Sequence, residues 1–312
     1  MNSGKVLIAA PVHEVLTKGL QSEGYEMVHE EKITQERAFE LIGDCVGVIT
    51  STRLQLDKAL LEAAPQLKWI GRMGSGMEVI DVEYATLKGV ACYSSPEGNS
   101  NAVAEHAMGM LLSLNKRIAW SYQEVKGGKW LRDANRGVEL EGKTIGIIGF
   151  GHTGRAFAKK LAGFDVKVMA YDKYNREGFP EHILNCGDLS PIFEQADIVS
   201  FHVPFRDETH HYFNRSFLTQ MHKAFVLINS SRGNIVDTLV MYEGLKTGKL
   251  AGVCLDVVEE EPLESMSNEV RSILNEIMQK PEVLVTPHIA GYSHEALFKM
   301  SSILLRKIVT GA

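Results

Sequence analysis

The chain has 312 residues, 45% hydrophobic and 23% charged, which is ample for two domains and ordinary for a globular protein. Its net charge of −6, from 33 basic and 39 acidic residues with histidine neutral, gives no reason to expect nucleic acid or an anionic membrane as partner. No stretch has the apolar length of a transmembrane helix, "MNSGKVLIAAPV" lacks a signal-peptide cleavage region, and Cys45, Cys92, Cys186 and Cys254 form no CxxC pair. The expectation is a reduced, cytoplasmic chain with no metal site.

Apolar runs of strand length alternate with amphipathic runs. "KVLIAAPV" (Lys5–Val12) reads as a buried strand and "HEVLTKGLQSEG" as a helix ending at Gly24. "CVGVIT" (Cys45–Thr50), "LKWIGRM" (Leu67–Met73) and "VACYS" (Val90–Ser94) read as further strands, with helices at Leu56–Pro65 and Asp81–Gly89 between them. A long helical pattern then runs from Asn99 to about Lys116, followed by the irregular, charged stretch Arg117–Gly142. A second alternation starts at Lys143, with strands "TIGIIG", "KVMAYD", "IVSFHV", "AFVLINS", "GVCLDV" and "EVLVTPH". The helical Ser293–Ile308 would pack back on the first domain. Continuous apolar strands separated by helices predict two doubly wound parallel-sheet α/β domains: 1–98 with 293–312, and 99–292.

In the second series, Gly149-x-Gly151-x-x-Gly154 follows a strand and opens a helix, and a second strand ends on Asp172. Three glycines alone are weak evidence; this context is stronger. Gly149 permits the tight turn, Gly151 lets a pyrophosphate approach the backbone, and Gly154 lets the helix pack closely on the strand. The helix N-terminus offers N–H groups to the phosphates. Asp172 would accept from the ribose diol and repel a 2′-phosphate, which favours NAD over NADP. Lys173 and Arg176 follow it, however, and a basic pair there can serve a 2′-phosphate.

"INSSRGNIVD" (Ile228–Asp237), "LDVVEEEPL" (Leu255–Leu263) and "VTPHIAGYSHEA" (Val285–Ala296) each follow a predicted strand of the second sheet, where this architecture binds ligands. Hydride transfer to a 2-keto acid needs a cation for the carboxylate and carbonyl, an acid for the oxygen, and a carboxylate that holds that acid protonated and oriented. Arg232, His288 and Glu261 supply these in turn, Arg being suited to bidentate carboxylate binding.

These motifs resemble the D-isomer specific 2-hydroxyacid dehydrogenase family, and within it the D-3-phosphoglycerate dehydrogenase branch in a short form without the regulatory domain. "GRMGSGMEVIDVEYATLKGV", "NAVAEHAMGMLL", "GFGHTG", "HVP", "NSSRG", the Asp256-to-Pro262 spacing and "TPHIAG" fall in family order over nearly the whole chain. The resemblance implies a flavodoxin-like substrate domain and a Rossmann NAD-binding domain. It implies Arg232, Glu261 and His288 as the catalytic trio, and the amides of Ser75 and Gly76 on the substrate carboxylate. NAD would meet His152, Thr153, Asp172, His202, Val203, Pro204, Ser230, Ser231, Arg232, Asp256 (on the carboxamide) and the segment His288, Ala290 and Gly291. It further implies a homodimer, with the 117–142 arm embracing the partner. Ala290, Tyr292, Met77 and Glu78 depart from the pattern and leave the substrate side chain open.

Blander readings compete. Glu261 lies in a run, Glu259 to Glu261, and Glu260 is its alternative. His294 reads as a surface residue, His106 as a satisfied core histidine, and His202 and Asp237 as structural or near the adenine. Trp69, Trp120 and Trp130 read as core or interface anchors. Arg53 is either a substrate-phosphate ligand or an exposed arginine at a helix start. The activity expected is hydride transfer between NAD and a D-2-hydroxy acid, with D-3-phosphoglycerate first. A glyoxylate, hydroxypyruvate or D-lactate type reductase, or an NAD-sensing corepressor-like protein, are the alternatives.

Overall fold

The computed structural model describes residues 3–175 and 177–311; Arg176, half of the basic pair after Asp172, lies outside them. The chain divides into two units. One takes the chain up to Ala102 and from Gly291 onward, and the other is Val103–Ala290, so the expected boundaries at 98/99 and 292/293 move by a few residues.

The first unit is built on five parallel strands: β1 (Gly4–Ile8), β2 (Tyr25–His29), β3 (Cys45–Thr50), β4 (Trp69–Arg72) and β5 (Ala91–Ser94), in the order β2-β1-β3-β4-β5. This is the flavodoxin-like order. The strand pleat sends alternate residues into two cores. Leu7, Val48 and Ile70 pack with Ile42, Leu54, Leu60 and Leu61. Val6, Ile8, Ile49 and Trp69 pack with Leu16, Leu20 and Leu304. Leu304 belongs to the helix His294–Thr310, which Ser293 caps by accepting from the Ala296 amide. That helix is tied down at its middle and near its C-terminal end. The Ser301 hydroxyl accepts from the His13 amide at 3.0 Å, and the Lys307 ammonium donates to the Ser94 carbonyl at 2.9 Å.

The second unit holds seven parallel strands: β6 (Thr144–Ile148), β7 (Lys167–Tyr171), β8 (Ile183–Asn185), β9 (Ile198–Phe201), β10 (Phe225–Asn229), β11 (Leu250–Leu255) and β12 (Val283–Val285). Their order is β12-β11-β10-β9-β6-β7-β8. Chain direction across the sheet reverses between β6 and β9, the Rossmann switch point where such sheets take ligands. β6 and β10 are buried along their whole length, with a separate apolar core on each face of the sheet.

The structure adds two strands that the sequence pattern did not reveal, β2 and β8. Both are sheet edges, paired on one side only, and neither has a continuous buried pattern. The long helix begins earlier than expected, at Pro96, a residue suited to the first helical turn. The stretch expected to be irregular is partly ordered. Arg117 turns left-handed (φ +53°) and ends one helix, a second runs Ile118–Lys126, and a 3-10 turn covers Asp133–Asn135. Tyr122, Trp130, Leu131 and Val138 in this arm are exposed. All four cysteines are free thiols.

Candidate active site

Three observations define the glycine turn. Gly149 has a φ of +90°, and a Cβ there would stand 2.4 Å from the His202 carbonyl oxygen, so only glycine lets β6 and β9 leave the sheet side by side. At Gly154 a Cβ would meet the Gly149 carbonyl at 2.1 Å. At Gly151 the space around a Cβ is open. The helix starts at His152, two residues before the third glycine, and no side chain caps it. The first-turn amides of His152 and Thr153 therefore face an open cradle.

Asp172, at the end of β7, closes the turn. Its Oδ2 accepts from the Phe150 amide at 2.6 Å, and its Oδ1 from the amides of Tyr174 (2.9 Å) and Asn175 (2.8 Å). Oδ2 retains acceptor capacity for a hydroxyl. An open cradle, free first-turn amides and an acid at the second strand end fit the adenosine and phosphate parts of NAD.

β9 leads into His202, Val203 and Pro204. The His202 Nε2 lies 2.9 Å from the Ser200 hydroxyl, while its buried Nδ1 has no partner among the described residues. Burial pushes the imidazole down to about 3, so it is neutral and unsuited to proton exchange near neutrality. β10 ends in Asn229, which is fully buried and shapes the next loop. Its Oδ1 accepts from the Ser231 amide and hydroxyl, and its Nδ2 donates to the Arg232 carbonyl at 2.8 Å. The Ser230 hydroxyl is buried without a partner among the described residues. An orphaned donor there suits a cofactor that would satisfy it.

Asp256, at the end of β11, is 1% exposed. Its Oδ1 accepts from the Thr286 hydroxyl (2.6 Å) and the Ile289 amide (2.9 Å), and its Oδ2 from the Ala290 amide (2.8 Å). Its main-chain carbonyl accepts from the His288 amide at 2.7 Å. His106 stands 2.9 Å from the Thr286 hydroxyl and 3.4 Å from Asp256. Burial alone would raise the Asp256 carboxyl, but the bonds from His106, Thr286, Ala290 and Ile289 outweigh it and hold the group below its usual range. His106 is thus the satisfied histidine expected, its partners being Thr286 and Asp256 at the ends of β12 and β11. The expected carboxamide contact at Asp256 must share a carboxylate that already has several donors.

Held by these bonds, His288 adopts a left-handed φ of +54°. A non-glycine residue is strained there, and such strain gathers at functional sites. Its Nδ1 lies 2.6 Å from Glu261 Oε1, and the pair is partly solvent-exposed. The three consecutive glutamates separate by partner. Glu259 takes the His211 ring (2.7 Å) and the Thr238 amide (3.1 Å), Glu260 accepts from the Ser267 amide (2.7 Å), and Glu261 meets His288. Asp237 caps the helix Thr238–Lys246 through the Val240 amide, a structural role.

Arg232 follows β10, and its Nη1 donates to the Ser231 carbonyl at 2.6 Å. Next to it, a Cβ on Gly233 would stand 2.0 Å from the Val258 carbonyl, so the loops after β10 and β11 touch there. β10, β11 and β12 are neighbours in the sheet, so Arg232, Glu261 and His288 leave from the same edge of it. In the other unit, exposed Arg53 follows β3, and Ser75 and Gly76 follow β4. Gly291 also belongs to that unit, and His294 is an exposed residue opening its helix.

The buried His202 makes stability depend on pH. Its folded pKa is depressed from 6.5 to about 3, so its contribution is complete above pH 6.5 and is lost as pH falls. Unfolding free energies of the wild type from urea titrations should fall between pH 7 and 5, with a slope approaching about 1.4 kcal/mol per pH unit from this group. His202→Gln should be flatter by that amount; identical slopes would refute the buried neutral assignment.

Residues 108–290 match the NAD-binding domain of the D-isomer specific 2-hydroxyacid dehydrogenases. The D-3-phosphoglycerate dehydrogenase of Archaeoglobus fulgidus is 32% identical over 99% of this chain, which spans 57% of that protein. The hydroxypyruvate reductase of Thermotoga maritima is 32% identical, with 97% of each chain covered. The solved D-lactate dehydrogenase of Aquifex aeolicus, complexed with NAD and lactic acid, superposes with a TM-score of 0.83 at 27% identity, over 98% of this chain and 96% of that one. The family match over most of the second unit, the Rossmann strand order and the cradle agree: the chain belongs to the D-isomer specific 2-hydroxyacid dehydrogenase family, and its cofactor is NAD.

Proposed function

We propose that this chain is an NAD-dependent D-2-hydroxyacid dehydrogenase, with D-3-phosphoglycerate and 3-phosphohydroxypyruvate as the substrate pair. The observation that carries the reaction class is the 2.6 Å contact between His288 Nδ1 and Glu261. A carboxylate on one ring nitrogen fixes the tautomer and leaves Nε2, which has no partner among the described residues, to exchange a proton. NAD, when bound, supplies the hydride acceptor. In the oxidation direction His288 Nε2 takes the C2 hydroxyl proton; in reduction it returns that proton to the carbonyl oxygen. Arg232 steadies the substrate carboxylate and polarises the C2 oxygen. The amides of Ser75 and Gly76 donate to no acceptor among the described residues and are kept as candidate donors to a substrate carboxylate.

The phosphorylated substrate rests on Arg53, an exposed cation at a strand end with no ion-pair partner among the described residues, and on the similarity to the Archaeoglobus protein. The dimer reading rests on the arm, where Trp130 is 78% and Tyr122 63% exposed. Several exposed apolar side chains gathered on one short arm, Tyr122, Trp130, Leu131 and Val138, support a contact surface there.

Three outcomes follow. His288→Ala should lower kcat roughly 10²- to 10⁴-fold while NADH binding stays near wild type; surviving turnover would remove the proton-exchange role. In a panel of NAD with D-3-phosphoglycerate, and NADH with 3-phosphohydroxypyruvate, hydroxypyruvate, glyoxylate and pyruvate, the phosphorylated pair should be preferred. Arg53→Ala should then raise its KM roughly tenfold or more. Preference for an unphosphorylated acid would make the protein a general 2-keto acid reductase, and no turnover with NADH-dependent partner binding would make it a sensor. Light scattering should give a dimer mass, and Trp130→Glu should shift it towards the monomer; a monomeric wild type ends the arm reading.

A further inference from the structure

The turn after Asp172 raises a question that its acid alone does not answer. Lys173 comes directly after the ribose-binding acid, where a cation would favour a 2′-phosphate. Its surroundings direct it elsewhere. Asp172 Oδ1 accepts from the amides of both Tyr174 and Asn175, which folds the segment back on itself. Lys173 and Tyr174 then both reach one carboxylate, that of Glu208. The Lys173 ammonium donates to Glu208 Oε2 and the Tyr174 hydroxyl to Oε1. The Arg206 guanidinium stands 4.0 Å from the same carboxylate and 5.5 Å from the Tyr174 ring centroid. Glu208 is itself fixed, in a 3-10 turn after β9. The Thr209 hydroxyl accepts from the Arg206 amide (2.8 Å) and donates to the Pro204 carbonyl (2.7 Å).

Resting on the NAD reading of the cradle, we propose that Glu208 is a cofactor-discriminating residue: it holds Lys173 in an ion pair, so that the ammonium beside Asp172 is not offered to a 2′-phosphate. Lys173 lies next to Asp172 in sequence and on the Glu208 carboxylate, which Arg206 also approaches at 4.0 Å. A phosphate ester entering beside Asp172 meets like charge, and the cation that would offset it is engaged. Both partners respond to the pair. The bond to Lys173, then that to Tyr174, holds the Glu208 carboxyl below its usual range, and the bond to Glu208 raises the Lys173 ammonium. Lys173 and Glu208 are both partly open to solvent, so the latch discriminates modestly and can be undone by one substitution.

The test is the ratio of NADPH to NADH dissociation constants, read by nucleotide fluorescence on the full chain without substrate. Glu208→Gln keeps a partner for Tyr174 and removes the charge that holds Lys173. It should tighten NADPH relative to NADH by roughly threefold, the size of an exposed pair. Lys173→Met on top of Glu208→Gln should abolish that gain. An unchanged ratio in Glu208→Gln, with NADH still bound, overturns the latch and leaves the cofactor reading intact. So does a gain that survives in the double variant. A wild type that binds neither nucleotide overturns the cofactor reading and the latch together.

Discussion

The buried carboxylate of Asp256 is the constraint from which the candidate site at the strand ends of the second unit is built. A charged group at 1% exposure is tolerable only if hydrogen bonds replace its water. Here the replacements are the Thr286 hydroxyl and the amides of Ile289 and Ala290, with His106 behind them. The charge therefore dictates the path of the chain after β12. It also accounts for the strained His288. Its own amide binds the Asp256 main-chain carbonyl and the next two amides bind the Asp256 carboxylate, so one residue holds the left-handed turn from backbone and side chain alike. Removing any donor would leave a buried charge short of a partner, so the knot is held as a unit.

The rest of the site follows from sheet direction. Every strand of the second unit is parallel, so every strand leaves the sheet at the same edge and delivers its next few residues there. β6 supplies the glycine turn, β7 Asp172, β9 His202, β10 Ser230 to Arg232, β11 Asp256 to Glu261, and β12 the loop to Ala290. Two acids set the two ends of this edge in the same way. Asp172 accepts three main-chain amides and shapes the turn after β7. Asp256 shapes the chain after β12. Each works first as a backbone organiser, and its meaning for a ligand comes through what it holds in place.

Much of this was legible in the sequence. Buried strands such as β3, β6 and β10 announce themselves as continuous apolar runs, because a parallel sheet covered on both faces demands them. β2 and β8 do not: Glu26 and His29 interrupt the apolar run of one, and the other is three residues long and ends in Asn185. Among the glutamates, the spacing from Asp256 and the following Pro262 selected Glu261, with Glu260 as the alternative. The partners that separate the three, His211, Ser267 and His288, are distant in sequence and take one glutamate each. His106 was legible as a satisfied histidine, but its partners were not. Helical periodicity places it on an inward face but says nothing of the Thr286 and Asp256 that wait there. Asn229 was in plain view at a strand end, a polar residue closing an apolar run, and that was a usable signal for a loop organiser.

The first unit has a further property, which concerns time. Its second core is completed by Leu304, and its sheet and helices are tied to Ser301 and Lys307, all on a helix separated from the five strands by the whole of Val103–Ala290. During synthesis the strands emerge first and must wait for that helix while the other unit is made. At ordinary translation speeds the wait is roughly 10–40 s, long compared with the folding of either sheet. For that interval the face of Val6, Ile8 and Ile49 lacks part of its cover. The second unit, continuous in sequence, has no such delay. The order of assembly on the ribosome is therefore the reverse of the order of the chain: the unit that begins first finishes last.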